Sequence, residues 1–295
     1  MINTLRRMTL KALGRAYPFY SGCGTITNSR PFIKATESID SPVPTTLRDG
    51  TRMLVDPHEF LGRSIYFSGE WDPKITWALR RLLQPGETVI DIGAHCGATA
   101  LIAARLVGPQ GAVHAFEPQP VLAQMLRDSA KMNGFEQLHV HELALSDSDG
   151  KAELFIPNDK LILASLNPVS GATSLAVEKR RAGDFLEDLN LGEIALIKID
   201  VEGHELDVFR GAAEFLEHNR PRAILFESVE KEGPFRQRPP VRLLSDLDYV
   251  FYALPKRMLS MKTIFVADME PAGCHDFIAI QRSDVQTREL LIRKR

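Results

Sequence analysis

The chain has 295 residues, 44% hydrophobic and 25% charged, enough for one large α/β domain with a sizeable core plus an N-terminal extension. Its formal net charge of −2 provides no global basic field of the kind that holds DNA or RNA, so nucleic acid is not an expected partner. Cys23, Cys96 and Cys274 are odd in number and far apart, which argues against a disulfide framework and fits a reducing, cytoplasmic setting.

No apolar run approaches the roughly 18 residues that span a bilayer. Arg6, Arg7 and Lys11 interrupt the first twenty residues, so no secretory signal is expected. The first acid is Glu37, after Arg6, Arg7, Lys11, Arg15, Arg30 and Lys34. Such a basic arm suits a peripheral contact with anionic lipid, or an acidic substrate. A solvated helix packed on the domain is the plainer alternative.

Residues 47–67 read as a short hairpin, with "RDG" as turn between β-rich runs. "DPKITWALRRLL" predicts a helix with Asp72 as N-cap and Pro73 at its first position. "PGE" then breaks the chain before the first clear strand, "TVIDIG". From there strands and helices alternate. "TALIAARLV" is a helix closed by Gly108, "AVHAFEP" a strand, and "PVLAQMLRDSAKMNG" a helix ending at a glycine. "LHVHELAL" and "KAELFIP" are further strands. Residues 157–174 read as a long loop of a length that is usually functional. "DFLEDLN" is a short helix capped by Asp184, and "IALIKID" is a nearly unbroken apolar strand, as when both sheet faces are covered. "HELDVFRGAAEFLEHN" reads as one amphipathic helix, and "RAILFES" as the next strand. "YVFYAL", "TIFVAD" and "HDFIAIQR" then follow with little helix between them. The alternation predicts an open, doubly wound α/β sheet, mostly parallel with an antiparallel C-terminal strand. Ligands in such sheets bind beyond the carboxyl ends of the strands, where strand order reverses.

The candidate residues sit at those strand ends. After the first strand comes Asp91-Ile-Gly93-Ala94-His95-Cys96-Gly97. Glycines there let backbone approach a ligand, yet the pattern is not the G-x-G-x-x-G of dinucleotide enzymes. An acid stands where a phosphate would be repelled, and suits a cationic cofactor. Glu117, 26 residues beyond Asp91, is placed to accept both hydroxyls of a ribose. Leu143 and Ala144, after the third strand, offer apolar surface to an adenine ring. In "IKIDVEGHE", Asp200, Glu202 and His204 alternate where strand becomes loop and can converge on one cleft. A purely structural role, starting and capping the next helix, stays open for Glu202 and His204. An acid at Asp200, ending an apolar strand, either faces a ligand or is costly to bury.

The stretches "YFSGEWDPKITWALRRLLQPGETVIDIGAHCG", "HAFEPQP", "ALSDSDG", "IKIDVEGHELDVFRGA", "RPRAILFE" and "HDFIAI" resemble, in order and spacing, the FkbM family of S-adenosylmethionine-dependent methyltransferases. The resemblance covers about residues 45 to 282. It implies a class I methyltransferase (Rossmann-like) fold that methylates hydroxyls of sugars in glycolipids, polysaccharides or glycosylated natural products, or of polyketides. It divides the chain into a basic extension (1–45), the methyltransferase domain (46–285) and a basic tail (286–295). It implies cofactor contacts from Asp91, Gly93, Ala94 and Gly97, beside the Ala144 contact already read from the third strand end, with ribose contact from Glu117 and Asp200 at the methyl-transfer end. Glu70, in "SGEW", would meet the methionine portion. Cys96 departs from the aliphatic residue more usual there. Asp200, Glu202 and His204 are the candidate bases, and two carboxylates with a histidine also make a conceivable metal set. A nicotinamide-dependent oxidoreductase and a catalytically silent binding domain remain as competing readings. The 157–174 loop, the N-terminal extension and "EKEGPFRQRPP" are expected to shape the acceptor pocket.

Overall fold

A computed structural model describes residues 2–18, 20–157, 164–168, 170–228 and 233–292. The N-terminal extension forms helices α1 (Ile2–Ala16), α2 (Cys23–Thr27) and α3 (Arg30–Thr36), then strand β1 (Val43–Thr46). Strand β2 (Arg52–Val55) pairs antiparallel with β1 around the Asp49-Gly50 turn. Helix α4 (Phe60–Ser68) follows, and α1 packs on it so closely that a side chain at Gly14 would sit 2.7 Å from the Phe67 carbonyl. Lys11 lies 4.1 Å above the Tyr66 ring, so this basic helix is docked on the domain. Helix α5 (Pro73–Leu82) begins as expected, with Asp72 accepting the Lys74 N–H at 3.1 Å.

The alternating part comprises β3 (Thr88–Ile92), α6 (Ala98–Val107), β4 (Ala112–Phe116), α7 (Pro120–Asn133), β5 (Leu138–His141), β6 (Ala144–Ser146), β7 (Gly150–Ile156) and β8 (Thr173–Arg181). It continues through α8 (Ala182–Asp188), β9 (Ile194–Ile199), α9 (Glu205–Gly211), α10 (Ala213–Asn219), β10 (Ala223–Glu227) and α11 (Pro239–Asp246). Strands β11 (Tyr249–Ala253), β12 (Ile264–Val266) and β13 (Asp276–Gln281) and helix α12 (Val285–Ile292) close the chain.

Among the described residues the main sheet has eight strands in the order β12-β11-β13-β10-β9-β3-β4-β5. β5, β4, β3, β9 and β10 run parallel, and β13 inserts antiparallel between β10 and β11. This is the class I methyltransferase arrangement that the resemblance implied. Strand order reverses between β3 and β9, which places a crevice beyond their carboxyl ends. Alternation along each strand feeds two cores. Val89, Leu196 and Leu225 pack under α4, α5, α6 and α7, while Ile90, Ile197 and Phe226 pack under α8, α9, α10 and α11.

Several expectations need correction. The predicted hairpin ends at Val55. "FLGRSIYF" is helical because Leu61 and Ile65, one turn apart, are buried together with Phe67, and tertiary packing overrides its β-rich composition. "LHVHELAL" splits between the main sheet (β5) and a small three-stranded sheet, β6-β8-β7. Strand β8 is an addition to the predicted elements, its alternation being obscured by the charged run Glu178–Arg181. The predicted 204–219 helix breaks at Ala212 (φ −93°, ψ 0°). Gly211 lies against Ser146, and a side chain there would be 1.9 Å from that residue's carbonyl oxygen. Asp184 sits inside the first turn of α8 rather than capping it, paired with Arg181. Residues 286–292, assigned to a tail, belong to α12, which docks on α5: the Leu290 carbonyl accepts from Arg81 Nη1 at 2.8 Å. Residues 158–163 and 169 of the long loop, 229–232 of "EKEGPFRQRPP" and 293–295 of the tail lie outside the described residues. The three cysteines are free and buried. No described helix is long and apolar enough to cross a membrane.

Candidate active site

At the reversal point, backbone hydrogen bonds stitch three strand-end loops together. The N–H groups of Gly93 and Ala94 both donate to the Phe116 carbonyl, at 3.0 and 2.9 Å, and the Asp200 N–H donates to Ile92 O at 3.0 Å. Glu117 completes the join: its carboxylate accepts the His95 N–H at 2.8 Å and the Gln119 N–H at 2.9 Å. Gly93 (φ +81°) lies so near the β9 loop that a side chain would come within 1.9 Å of the Asp200 carbonyl oxygen. Gly97 (φ +93°) is pressed against Leu126, 2.1 Å from where a Cβ would stand. The glycine requirement read as ligand clearance is therefore met largely by close packing within the protein.

The loops surround a cavity of about 320 Å³. Of the predicted residues, Gly93, Glu117, Ala144, Asp200, Glu202 and His204 line it together. Four do not. Ala94 is buried behind Gly93, Gly97 opens α6 facing α7, and Asp91 is wholly buried beneath the cavity. Glu70 lies further out, paired with Arg48 at 3.4 Å. Burial raises its carboxyl, an effect that Arg48 and Arg80 oppose.

Asp91 acts through Lys198, a residue absent from the sequence-derived candidates. Lys198 Nζ lies 3.2 Å from Asp91 and 3.3 Å from Asp200, on a β9 that is buried at all six positions. Burial works against its charge, but Asp200 and Asp91 outweigh that and hold the ammonium above the usual lysine range. The signal was present in "IALIKID", since a lysine inside a buried strand requires acidic partners.

The other acids are tuned toward neutrality. Burial pushes Glu117 up to about 7, against the hydrogen bonds from Gln119 and His95. Partial burial of the Glu202 carboxyl, with Asp200 and Glu205 beside it, raises Glu202 to about 7. Glu202 stands in the left-handed region (φ +52°). Its turn is held by the Glu205 carboxylate, which accepts from Val201 N and Gly203 N at 3.0 and 3.2 Å. From outside, Ser165 Oγ donates to Glu202 O at 2.7 Å. His204 Nε2 lies 2.9 Å from Ser146 Oγ, while Nδ1 is 3.0 Å from Asp207 without hydrogen-bond geometry.

The far wall was missed. Phe116 supplies an apolar side, Glu227 ends β10, and His275 precedes Asp276, the first residue of β13. Glu227 is raised to about 8 by burial, then by Asp200 and Asp276, with His275 Nδ1 at 3.7 Å. Lys74 spans from Asp72 (3.0 Å) to Asp276 (2.7 Å) and ties α5 to β13. His95 lines the cavity with both ring nitrogens buried and without a hydrogen-bond partner; burial lowers it to about 4. The glutamate in "RAILFES" was recognisable as a strand-end acid. His275 and Asp276 depended on knowing that the last strand inserts beside β10. Among the described residues no three His, Cys, Asp or Glu side chains are grouped to hold a metal ion.

Residues 91–258 match the family model described as the methyltransferase FkbM domain. The chain is 26% identical over 182 residues to the 2-O-methyltransferase NoeI of Sinorhizobium fredii, covering 56% of this chain and 72% of that protein. It is 28% identical over 181 residues to the 31-O-demethyl-FK506 methyltransferase FkbM of Streptomyces tacrolimicus, covering 51% of this chain and 68% of that protein. Among solved structures, TYW2 of M. jannaschii in complex with AdoMet is similar at TM-score 0.46 and 13% identity, over 82% of this chain and 86% of that one.

Proposed function

Because the chain belongs to the FkbM methyltransferase family, we propose that it moves a methyl group from S-adenosylmethionine to a hydroxyl oxygen of a sugar or polyketide, in the cavity between β3, β4, β9 and β10. S-Adenosylmethionine is the methyl donor of this family, and the cavity suits it. The observation that carries the reading is Glu117: a buried carboxyl beside the cavity, already accepting two backbone N–H groups and able to accept two ribose hydroxyls as well. Leu143, Ala144 and Phe116 offer an apolar wall for a base. The acids Asp200 and Glu202 suit a sulfonium and an ammonium, where a pyrophosphate would be repelled. An oxygen acceptor is supported by the names of two relatives, a 2-O-methyltransferase and a methyltransferase of 31-O-demethyl-FK506.

When bound, the donor supplies a methyl already activated on a sulfonium centre. What remains for the chain is alignment and a proton acceptor, and alignment alone is worth up to roughly 7–11 kcal/mol in the best intramolecular models. Asp200 is oriented by Lys198 and serves as a fixed negative charge. His204, held at Nε2 by Ser146, positions the turn. Glu202, poised at about 7, is the base that takes the acceptor's proton, since a base is most effective when its pKa lies near the working pH.

Glu202→Gln should lower turnover by about 10²-fold or more, a larger effect than on S-adenosylhomocysteine binding, whereas Asp200→Asn, which removes the charge offered to the donor, should weaken both. The native rate should climb as pH rises through about 7, where Glu202 loses its proton, and that limb should vanish in Glu202→Gln. Full turnover in both variants overturns the assignment.

A further inference from the structure

The cavity does not end at Trp71. It shares Trp71, Lys74 and Lys256 with a second hollow of about 230 Å³. That hollow in turn shares Tyr20, Glu70, Pro73 and Met261 with a third of about 660 Å³ that contains Trp77 and Arg80. The three form one trough from the strand ends along α5, walled on one side by the N-terminal extension. We propose that this trough is the binding site for an oligosaccharide acceptor, with the sugar to be methylated in the cavity and the following sugars along Trp71 and Trp77; the proposal rests on the methyl-transfer reading of the cavity.

Two features of the trough point to carbohydrate. Its aromatic rings are held in place before any ligand arrives. Trp71 meets Phe60 edge-on at 5.5 Å, and Gly24 makes room for it, since a side chain there would stand 2.9 Å from the ring. Trp77 lies under the Arg81 guanidinium at 4.5 Å, and Arg81 is anchored by the Leu290 carbonyl. Arg81 covers one face of Trp77, so a sugar would meet the remaining ring surface and edges, which are already fixed and lose little entropy on binding. Beside apolar Pro73, Leu259, Met261 and Ile292, the trough presents charged hydrogen-bonding groups: Glu70, Arg80 and Lys256. An acyl or polyketide chain laid there would strip water from these charges without replacing it, at a cost in free energy. Sugar hydroxyls would pair with them.

The chain has two tryptophans, and both lie in this trough, so intrinsic fluorescence reads its occupancy directly. A printed glycan array probed with the full chain would select ligands. Each selected glycan, its non-reducing-end monosaccharide and a decanoyl chain would then be titrated against tryptophan emission. The expected result is a change in emission, with the oligosaccharide half-saturating at a concentration about tenfold or more below its monosaccharide, the equivalent of one ring contact. Trp77→Ala should remove that length preference while S-adenosylhomocysteine still binds. Arg80→Ala, at an exposed position, should weaken it without altering the melting temperature. The proposal is overturned if no glycan is retained, if monosaccharide and oligosaccharide bind alike, if both variants bind as the native chain does, or if only the decanoyl chain responds. Cofactor binding without any length preference would retire the trough and leave the methyl-transfer reading standing; glycan binding without cofactor affinity would do the reverse.

Discussion

Lys198 gives the cavity its electrostatic frame. It lies between Asp91 and Asp200, one of them wholly buried and the other at the rim. Replacing it by methionine keeps the stem but strands Asp91 in the interior, where removing one partner of a buried pair costs about 3–5 kcal/mol. Lys198→Met should therefore unfold at lower urea than the native chain, and adding Asp91→Asn should recover part of the loss. Equal midpoints for native and Lys198→Met would show that the ion pair is not what compensates Asp91. Asp91, Glu117, Asp200 and Glu202 were legible at this scale, because an acid that ends an apolar strand is costly to bury unless a ligand or a cation meets it. Lys198 was harder to see, because one charge is lost within the apolar pattern of its strand. His275 and Asp276 were illegible on different grounds: their place beside Glu227 depends on sheet order, which residue spacing does not encode. Glu70 shows the converse error. A matching motif placed it in the cavity, while its carboxyl is turned to Arg48.

At the scale of elements, the β3–α6 and β9–α9 loops behave as one unit, because Gly93 sits directly against the Asp200 carbonyl. Gly93→Ala must push the two loops apart. Overpacking of this kind costs roughly 1–3 kcal/mol, and here it would also displace Asp200. The variant should lose both stability and cofactor affinity, whereas Gly86→Ala, a positive-φ position with nothing within 4 Å of the added carbon, should lose a little stability and no affinity. If Gly93→Ala binds S-adenosylhomocysteine like the native chain, the two loops are not coupled in this way. Elements β3, α6, β4 and α7 were readable because each combines a single hydrophobic period with a glycine or proline stop. Failures fell where composition and packing disagree: α4, rich in aromatic residues yet helical, and β8, an amphipathic strand masked by its charges.

For the whole molecule, the tuned side chains fix how stability follows pH. His95, His114 and His141 are each lowered to about 4, chiefly by burial, so the fold gains stability as pH rises toward their unfolded value of about 6.5. Glu117 and Glu202 are raised to about 7 and Glu227 to about 8, above an unfolded value of about 4.3. The folded chain holds those protons longer, so their contribution is full at low pH and fades as pH rises through 7 to 8. The gains and losses cancel at about pH 5–5.5, so the ligand-free protein should melt higher there than at about pH 8.5, and Glu227→Gln should flatten the decline. A melting temperature still rising between pH 6.5 and 8.5 would contradict the burial of these acids.

The central claim is that a methylated nucleoside sulfonium rests on Glu117 between the β3 and β9 loops. Isothermal titration of the purified full chain with S-adenosylhomocysteine tests it most directly. One ligand should bind per chain, and Glu117→Gln should weaken binding by about tenfold or more, as expected for loss of charge-assisted hydrogen bonds. No measurable heat from the native chain under conditions where it is folded, or an unchanged affinity in the variant, would contradict the account.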